Sequence, residues 1–416
     1  AITLAKMASG TDGNIISYDA SGNPVAIATG SDGQVLTSAG AGAQPAFETL
    51  NVTPAAGSIT TAQLAYNPNA FRNIIINGDM NISQRATSST GITSDGYYTV
   101  DRFLTEMGSF GTWTQSQYAD APSGQGFNNS LKMDCTTANG SLAANVISLV
   151  GQSIEGQMLQ AICQGTANAK QTTLSFWHKH TKTGTNIVEL LDADNANAVS
   201  GSYTQSVSNT WEKAVITFPA HTAGAYDNDS NRSLRIRFAI GKGTDLTSGT
   251  LATTWQTSIT NANRHAGQVN NADSASNNFM LAAVQYEIGP TASDFEGVPQ
   301  DVTLARCFRY FFKLQGTGDY MNFGMTATNG TASLMFMTLP AVMRNTPTLS
   351  SSGTFSSNVP YTGSYENTTG GPSIGDYGGN LARVTFTTNT SHAAGLNGRI
   401  LLLAQATGFI AFDAEL

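Results

Sequence analysis

The chain has 416 residues, of which only 12% are charged, and its formal net charge is −8. This length exceeds one typical domain and suffices for two substantial hydrophobic cores. The 20 basic residues are scattered, so the chain lacks the basic patch by which proteins hold phosphate, and nucleic acid is excluded as an expected partner.

Small and polar residues dominate the rest of the composition, including 42 glycines, which favours short strands and tight turns. Cys135, Cys163 and Cys307 lie too far apart for a CxxC motif, and we expect them to be free and buried. The first residues lack the pattern of a secretory signal. Residues 400–412 are too few to span a bilayer, so we expect no membrane insertion, and we expect synthesis without a signal peptide.

Residues 10–50 contain an internal repeat. Gly10 to Ser17 reads GTDGNIIS and Gly30 to Thr37 reads GSDGQVLT. Each copy predicts an Asp-Gly turn that leads into a strand of about five residues, too short to be stable alone. We expect equivalent chains to complete these strands around a three-fold axis; a flexible linker is the alternative. Residues 51–70 are expected to be a connector, with a short helix capped by Ser58 or Thr60 and ended by Pro68.

The next stretch, residues 71–103, carries Asn77-Gly78 and Asp95-Gly96, dipeptides typical of tight hairpin turns. We therefore expect a hairpin-rich opening. In Leu234 to Ile240 every second residue is apolar and the others include two arginines, which predicts a half-buried strand. Similar strands are predicted at 174–177, 214–218 and 280–286, and together they favour an antiparallel sandwich.

A further domain is predicted from residue 300. Asp301 is expected to cap a short helix, and residues 309–314 and 321–325 return to strand alternation. The predicted organisation is all-β: short β repeats at 1–50, the connector at 51–70, a jelly-roll β-sandwich at 71–299, and a further β domain at 300–416.

Two motifs carry a resemblance to a known family. The first combines N-G-x-M-x-x-x-Q-R with a following Y-x-x-x-D-R-F, and it comprises Asn77, Gly78, Met80, Gln84, Arg85, Tyr97, Tyr98, Asp101, Arg102 and Phe103. The second is Q-Y-E-x-G-x-x-A-x-x-F-E, from Gln285 to Glu296. Together they resemble a module of bacteriophage tail-fibre proteins. The resemblance implies a β-sandwich similar to carbohydrate-binding jelly rolls, carried in a trimeric virion fibre.

Candidates for metal binding are few. His178 and His180 share one face of a predicted strand, but no third ligand is near, and we expect a solvated strand end. Asp192 to Asn195 and Asp227 to Asn231 alternate oxygen-bearing side chains as calcium loops do, but they lack the glycine and glutamate of an EF-hand. Asx turns are the first interpretation, with a structural calcium ion as the alternative, and no cofactor is expected.

No catalytic pair of carboxylates stands out, so we expect a protein that is not an enzyme. Asp101, Glu287 and Glu296 are interpreted as scaffold residues held by salt bridges or turn hydrogen bonds. The expected receptor-binding residues are Tyr361, Tyr365 and Tyr377, which lie among small polar residues in 350–380. Packing of these tyrosines inside a trimer is the alternative. Trp113 and Trp255 are further candidates, as binding platforms at the edge of the sandwich, but we expect a core position for each.

The resemblance, together with the repeats, implies a homotrimeric phage tail fibre that attaches the virion to a glycan or protein on the host surface. Its N-terminal repeats would face other tail proteins of the virion, and its β domain at 300–416 would face the host. It would be made in the host cytoplasm. The alternatives are a capsid-attached fibre or decoration protein, and a glycan-degrading tail protein.

Overall fold

The computed structural model describes residues 10–49, 71–315, 321–328, 330–358, 366–368, 370–402 and 408–416. The predicted connector, Tyr361 and Tyr365 lie outside these ranges. The chain divides into two compact units, Ala1–Tyr66 and Asn67–Leu416. No helix in the described ranges is long and apolar enough to cross a membrane.

The first unit contains two antiparallel hairpins, one for each copy of the repeat. Their strands are β1 Ile15–Tyr18 with β2 Pro24–Ile27, and β3 Gln34–Thr37 with β4 Ala46–Thr49. Gly13 and Gly33 of the two Asp-Gly turns have φ of +82° and +83°, a conformation that glycine adopts without strain. The predicted turn and short strand are thus confirmed in both copies.

The second unit opens irregularly, and the expectation of a hairpin-rich opening was wrong for residues 71–87, which contain no strand. Asn77 has a φ of +61°, but its side chain binds the main chain at Ile82 and Asp101 and thereby holds an irregular loop. Asp95-Gly96 connects strands of different sheets. The Asp95 carboxylate accepts a hydrogen bond from the Met107 N–H at 2.7 Å, and no two-residue hairpin forms.

Residues 88–288 form an antiparallel sandwich of two sheets. Its strands are β5 Ser88–Ile92, β6 Leu104–Met107, β7 Thr112–Tyr118, β8 Ser130–Thr137, β9 Ile147–Glu155, β10 Thr172–His180, β11 Gly184–Asp192, β12 Asn197–Gln205, β13 Glu212–Phe218, β14 Arg232–Lys242 and β15 Asn278–Ile288. One sheet has the order β13-β10-β15-β8-β7-β5 and the other β12-β11-β14-β9-β6. One short helix, α1 Thr244–Thr247, follows β14. The predicted all-β class with a central jelly-roll sandwich is confirmed.

The main core lies between these sheets. Phe176 of β10 meets Phe238 of β14 edge to face, with ring centroids 4.9 Å apart. Trp113 of β7 is fully buried, as expected for a core position. Such aromatic contacts provide much of the buried apolar area that holds two sheets together.

The prediction that the strand β14 is half-buried was wrong. Its apolar residues face the core as expected, but Arg237 on the other side is only 6% exposed. That side is covered as well, because residues of the segment after β14, including Arg264, pack there around Glu189. The strand is therefore buried on both faces and not on one.

A second core lies in the remaining residues. The helix α2 Gln300–Phe308 precedes strands β16 Phe311–Gln315, β17 Met321–Ala327, β18 Gly330–Thr338, β19 Thr348–Ser352, β20 Phe355–Asn358, β21 Glu366–Asn367, β22 Ser373–Gly378, β23 Leu381–His392, β24 Asn397–Leu402 and β25 Phe409–Asp413. They form the sheets β16-β25-β19 and β21-β20-β24-β17-β18-β23-β22. Pro299 occupies the N-cap of α2, so Asp301 does not cap the helix but lies in its first turn.

Ion pairs tie residues 413–416 to the sandwich. The Arg102 guanidinium pairs with Glu415 and lies 3.4 Å above the Tyr310 ring, and both charged side chains are almost completely buried. Arg85 pairs with Asp413 at 2.9 Å. The two cores therefore belong to one compact unit, and the domain bounds expected from the sequence stay predictions.

Candidate functional site

The outer face of the six-stranded sheet carries a cleft with a volume of about 340 Å³. This lies within the range of about 300–1,000 Å³ typical of small-ligand sites. The cleft is lined by Gln125, Gly126, Phe127, Ser175, Trp177, Lys213, Ala283, Asp294, Phe295 and Gly297.

Strand alternation places the central side chain of the cleft. Leu174 and Phe176 of β10 point into the core, so Trp177 points to the outer face, where it is half-buried. Its cross-strand neighbours are Lys213 of β13 and Ala282 of β15. A rigid indole plate beside small and polar neighbours thus forms the floor of the cleft.

A β-bulge lies directly beneath this floor. The register between β10 and β15 shifts between Ser175 and Trp177, and Ala283 has a φ of +50°. Bulges bend a strand and re-aim its side chains, and they are over-represented beside binding sites. Next to the bulge, the Val284 N–H donates a hydrogen bond to the Gly78 carbonyl at 2.9 Å. This hydrogen bond anchors the irregular opening segment to β15.

Two phenylalanines form another part of the lining. Phe127 lies in the loop between β7 and β8, and Phe295 follows β15; their rings meet edge to face with centroids 5.0 Å apart. Together with Trp177 they supply apolar surface on which a ligand ring can pack.

The segment that carries Phe295 is fixed by a polar network. The Glu296 N–H donates to Gln285 at 2.7 Å, and its carboxylate accepts hydrogen bonds from the N–H groups of Phe71 and Asn73. Glu287 in turn accepts the Ser293 N–H at 2.9 Å. The second motif of the sequence, Gln285 to Glu296, therefore holds one part of the cleft in place.

Charged and aromatic groups continue beyond the cleft on the same sheet face. Asp120 accepts hydrogen bonds from Lys179 at 2.7 Å and from the Trp211 indole at 3.0 Å. Partial burial by itself would raise the pKa of Asp120, but these hydrogen bonds lower it overall. The Asp120 carboxylate is thus charged at neutral pH and is already bound by its neighbours.

The residues that the sequence proposed for receptor binding lie elsewhere. Tyr377 of β22 is half-buried against the second core, and its hydroxyl accepts the Met343 N–H at 2.7 Å. Tyr361 and Tyr365 lie outside the described residues, so their role stays a prediction. Trp255 is partly buried and stacks on His221, with the two ring centroids 4.8 Å apart.

The prediction that His178 and His180 lie at a solvated strand end was wrong. His178 and His180 do share a face of β10, but it is the core face, and they are 1% and 0% exposed. His178 bonds Gln205 at 2.9 Å and His180 stacks on Phe279 at 4.2 Å. Burial lowers the pKa of both histidines, so they are neutral core residues and not a solvated strand end.

The two acidic loops form Asx turns, as first interpreted. Asp192 accepts the N–H groups of Asp194 and Asn195, both at 3.1 Å, and Asp229 accepts the Asn231 N–H at 2.8 Å. In the part of the chain that the structure describes, no three His, Cys, Asp or Glu side chains converge as metal ligands.

The remaining sequence assignments of carboxylates and thiols are mostly supported. Asp101 accepts the Gln84 N–H at 2.9 Å, and so serves the scaffold, as Glu287 and Glu296 do. The three cysteines are free. Cys135 and Cys307 are buried, but Cys163 is half-exposed, contrary to expectation.

No protein-family model and no curated protein sequence matches this chain. Among solved structures, it is similar to the enzymatically active domain of bacteriophage CBA120 tailspike protein 4, with 14% identity and a TM-score of 0.27 over 52% of this chain and 22% of that one. It is also similar to a putative sugar-binding protein from Bacteroides thetaiotaomicron, with 12% identity and a TM-score of 0.29 over 52% of this chain and 100% of the other.

A third similar structure is the N-terminal tandem CBM22 domain of Paenibacillus barcinonensis Xyn10C. Its identity is 9% and its TM-score 0.26, over 84% of this chain and 98% of that chain. All three TM-scores are low, so these similarities do not indicate what the protein does.

Proposed function

We propose that this protein is a phage tail fibre that attaches the virion to the host surface by binding a glycan in the cleft around Trp177. The observation that carries the proposal is a half-buried indole, flanked by an aromatic pair and polar groups, on the outer face of a rigid sheet. Sugar rings have apolar faces edged by hydroxyls, and they pack on aromatic plates while the hydroxyls bond to polar neighbours.

The attachment to a fibre is supported by the motif resemblance and by the N-terminal hairpins. A two-stranded hairpin is only marginally stable by itself. Ile16, Tyr18 and Leu36 on these hairpins are 52%, 65% and 44% exposed. Packing of three equivalent chains would cover such residues, so the protein is proposed to be a homotrimer, with other tail proteins bound at its N-terminal repeats.

The trimer would convert weak binding into durable attachment. Three clefts on one fibre, and several fibres on one virion, raise the effective concentration for each later contact. Solution mass tests this part: sedimentation equilibrium should give three times the monomer mass. A stable monomer at micromolar concentration would contradict the trimer.

The role is proposed to be attachment without cleavage. The carboxylates of Glu287 and Glu296 beside the cleft are committed to hydrogen bonds that hold the scaffold. Incubation with the polysaccharide that the protein binds should leave polymer length unchanged in size-exclusion chromatography. Progressive shortening of the polymer would show that the protein is instead a glycan-degrading tail protein.

Replacement of the indole tests the site itself. Trp177→Ala removes the plate on which a sugar packs, and loss of about 2 kcal/mol of apolar contact corresponds to a Kd roughly 30-fold higher. The measurement is a glycan array followed by titration calorimetry with the best ligand. Tyr118→Ala is the matched control, because Tyr118 is 43% exposed on the same sheet but does not line the cleft. Equal binding by wild type and Trp177→Ala would refute the site.

A further inference from the structure

We propose that the cleft selects an acidic saccharide, whose anionic group binds the Lys213 ammonium while its ring packs on Trp177. This inference rests on the proposed glycan-binding function and specifies its ligand class. The anionic group is a carboxylate such as that of a uronic acid.

The lysines of the described residues provide the first argument. Lys132, Lys179 and Lys182 each form an ion pair with an aspartate. Two others donate to main-chain carbonyls, namely Lys170 to Ala161 and Lys313 to Arg85, each at 2.9 Å, and Lys242 is buried.

Lys213 differs from all of them. It is exposed, it lines the cleft, and in the described part of the chain it forms neither a hydrogen bond nor an ion pair. Its ammonium therefore offers three donors and a full positive charge without first having to break a contact within the protein.

The position of Lys213 provides the second argument. Lys213 and Trp177 are directly opposite each other in the β13–β10 pairing. Side chains in this relation have Cβ atoms about 4.5–5.5 Å apart. One sugar residue can thus touch both the indole plate and the ammonium, which matches a ring that bears its own anionic substituent.

The neighbouring charges restrict where that substituent can lie. Glu212 precedes Lys213, but its carboxylate accepts the N–H groups of Ser206 and Val207, at 3.0 and 2.7 Å. Asp294 also lines the cleft and would repel an anion. The acidic group is therefore expected at Lys213, with neutral hydroxyls facing Asp294.

The experiment compares a panel of uronate-containing oligosaccharides with the carboxyl-reduced form of each. Reduction replaces the carboxylate by a neutral hydroxymethyl group and keeps the rest of the ring. Affinities are measured by titration calorimetry for the full chain, for Lys213→Gln, and for Trp177→Ala. Lys170→Gln is the control, because it removes the same charge from the protein away from the cleft.

We expect the wild type to bind at least one acidic oligosaccharide about tenfold more tightly than its reduced form, as a charge-assisted contact would provide. Lys213→Gln should abolish this preference, Lys170→Gln should retain it, and Trp177→Ala should weaken both forms.

Two results would overturn the inference, and they are distinguishable. Binding of neutral and acidic forms with equal affinity, still lost in Trp177→Ala, would reject acidic selectivity but leave glycan binding intact. Absence of binding to every acidic, reduced and neutral glycan on the array would reject the proposed function as well.

Discussion

Replacement of Glu189 by glutamine should destabilise the sandwich severely. Glu189 is 0% exposed and lies on β11 beneath the segment that follows β14. Its carboxylate accepts hydrogen bonds from Arg264 at 2.9 Å and from Arg237 at 3.2 Å. Glu189→Gln keeps the shape of the side chain but removes the only carboxylate paired with Arg264 in the described residues, and it leaves Arg237 with Glu106 alone, at 3.0 Å.

Burial by itself would raise the pKa of Glu189, but the positive groups around it lower the pKa to about 2 from 4.5. Removing one partner of a buried ion pair costs about 3–5 kcal/mol, and this is the loss that we expect for Glu189→Gln.

The assay is urea unfolding at pH 7, followed by tryptophan fluorescence. The chain has 4 tryptophans, at positions 113, 177, 211 and 255, so the signal reports on the sandwich. Asp134→Asn is the control, because its pair with Lys132, at 3.0 Å, is partly exposed and should contribute less than about 1 kcal/mol.

The pH dependence gives a second check on Glu189. A carboxylate whose pKa is lower in the folded state stabilises the protein above its unfolded pKa of 4.5, and this contribution is lost as the pH falls towards 2. The difference in the free energy of unfolding between wild type and Glu189→Gln should therefore become smaller from about pH 5 downwards. A difference below about 0.5 kcal/mol at pH 7, or one that does not change at low pH, would refute this prediction.

Two other predictions concern buried groups. His180 is neutral in the folded core, whereas in the unfolded chain it takes up a proton below about pH 6.5. The free energy of unfolding should therefore fall by up to about 1.4 kcal/mol for each pH unit below that value. His180→Phe should reduce this pH dependence in urea titrations, and an unchanged pH dependence would contradict the prediction. Arg102→Met leaves the buried Glu415 with only its longer ion pair to Arg85, at 3.4 Å, so hydrogen exchange at Phe409–Asp413 should accelerate relative to the wild type. Wild-type protection would show that Arg102 does not hold this strand.

Strands with a two-residue period were predictable from the sequence. The alternation in Leu234 to Ile240 identified β14 and its core face correctly. The sequence could not show that Arg237 is buried as well, because the cover comes from a segment about 27 residues further along, at Arg264. The polar face of a strand is exposed to solvent only when no other part of the chain packs on it.

The prediction of a hairpin-rich opening was wrong for a related reason. Asn77-Gly78 is a strong local turn signal, but Asn77 bonds Ile82 and Asp101 instead of closing a hairpin. Long-range contacts decide its conformation, and local propensity does not report them.

The cleft was only partly accessible from the sequence. Trp177 follows Phe176, so one of the two had to face away from the core, and that was a usable signal. The other contributors, Phe127 and Phe295, lie 168 residues apart and meet only through the topology of the sheet.

A crystal structure of the chain with the oligosaccharide that it binds most tightly would show whether the cleft around Trp177 is the glycan-binding site. We expect a sugar ring stacked on Trp177, in contact with the Phe127–Phe295 pair and with an anionic substituent at Lys213. A ligand bound elsewhere, with the cleft empty, would contradict it.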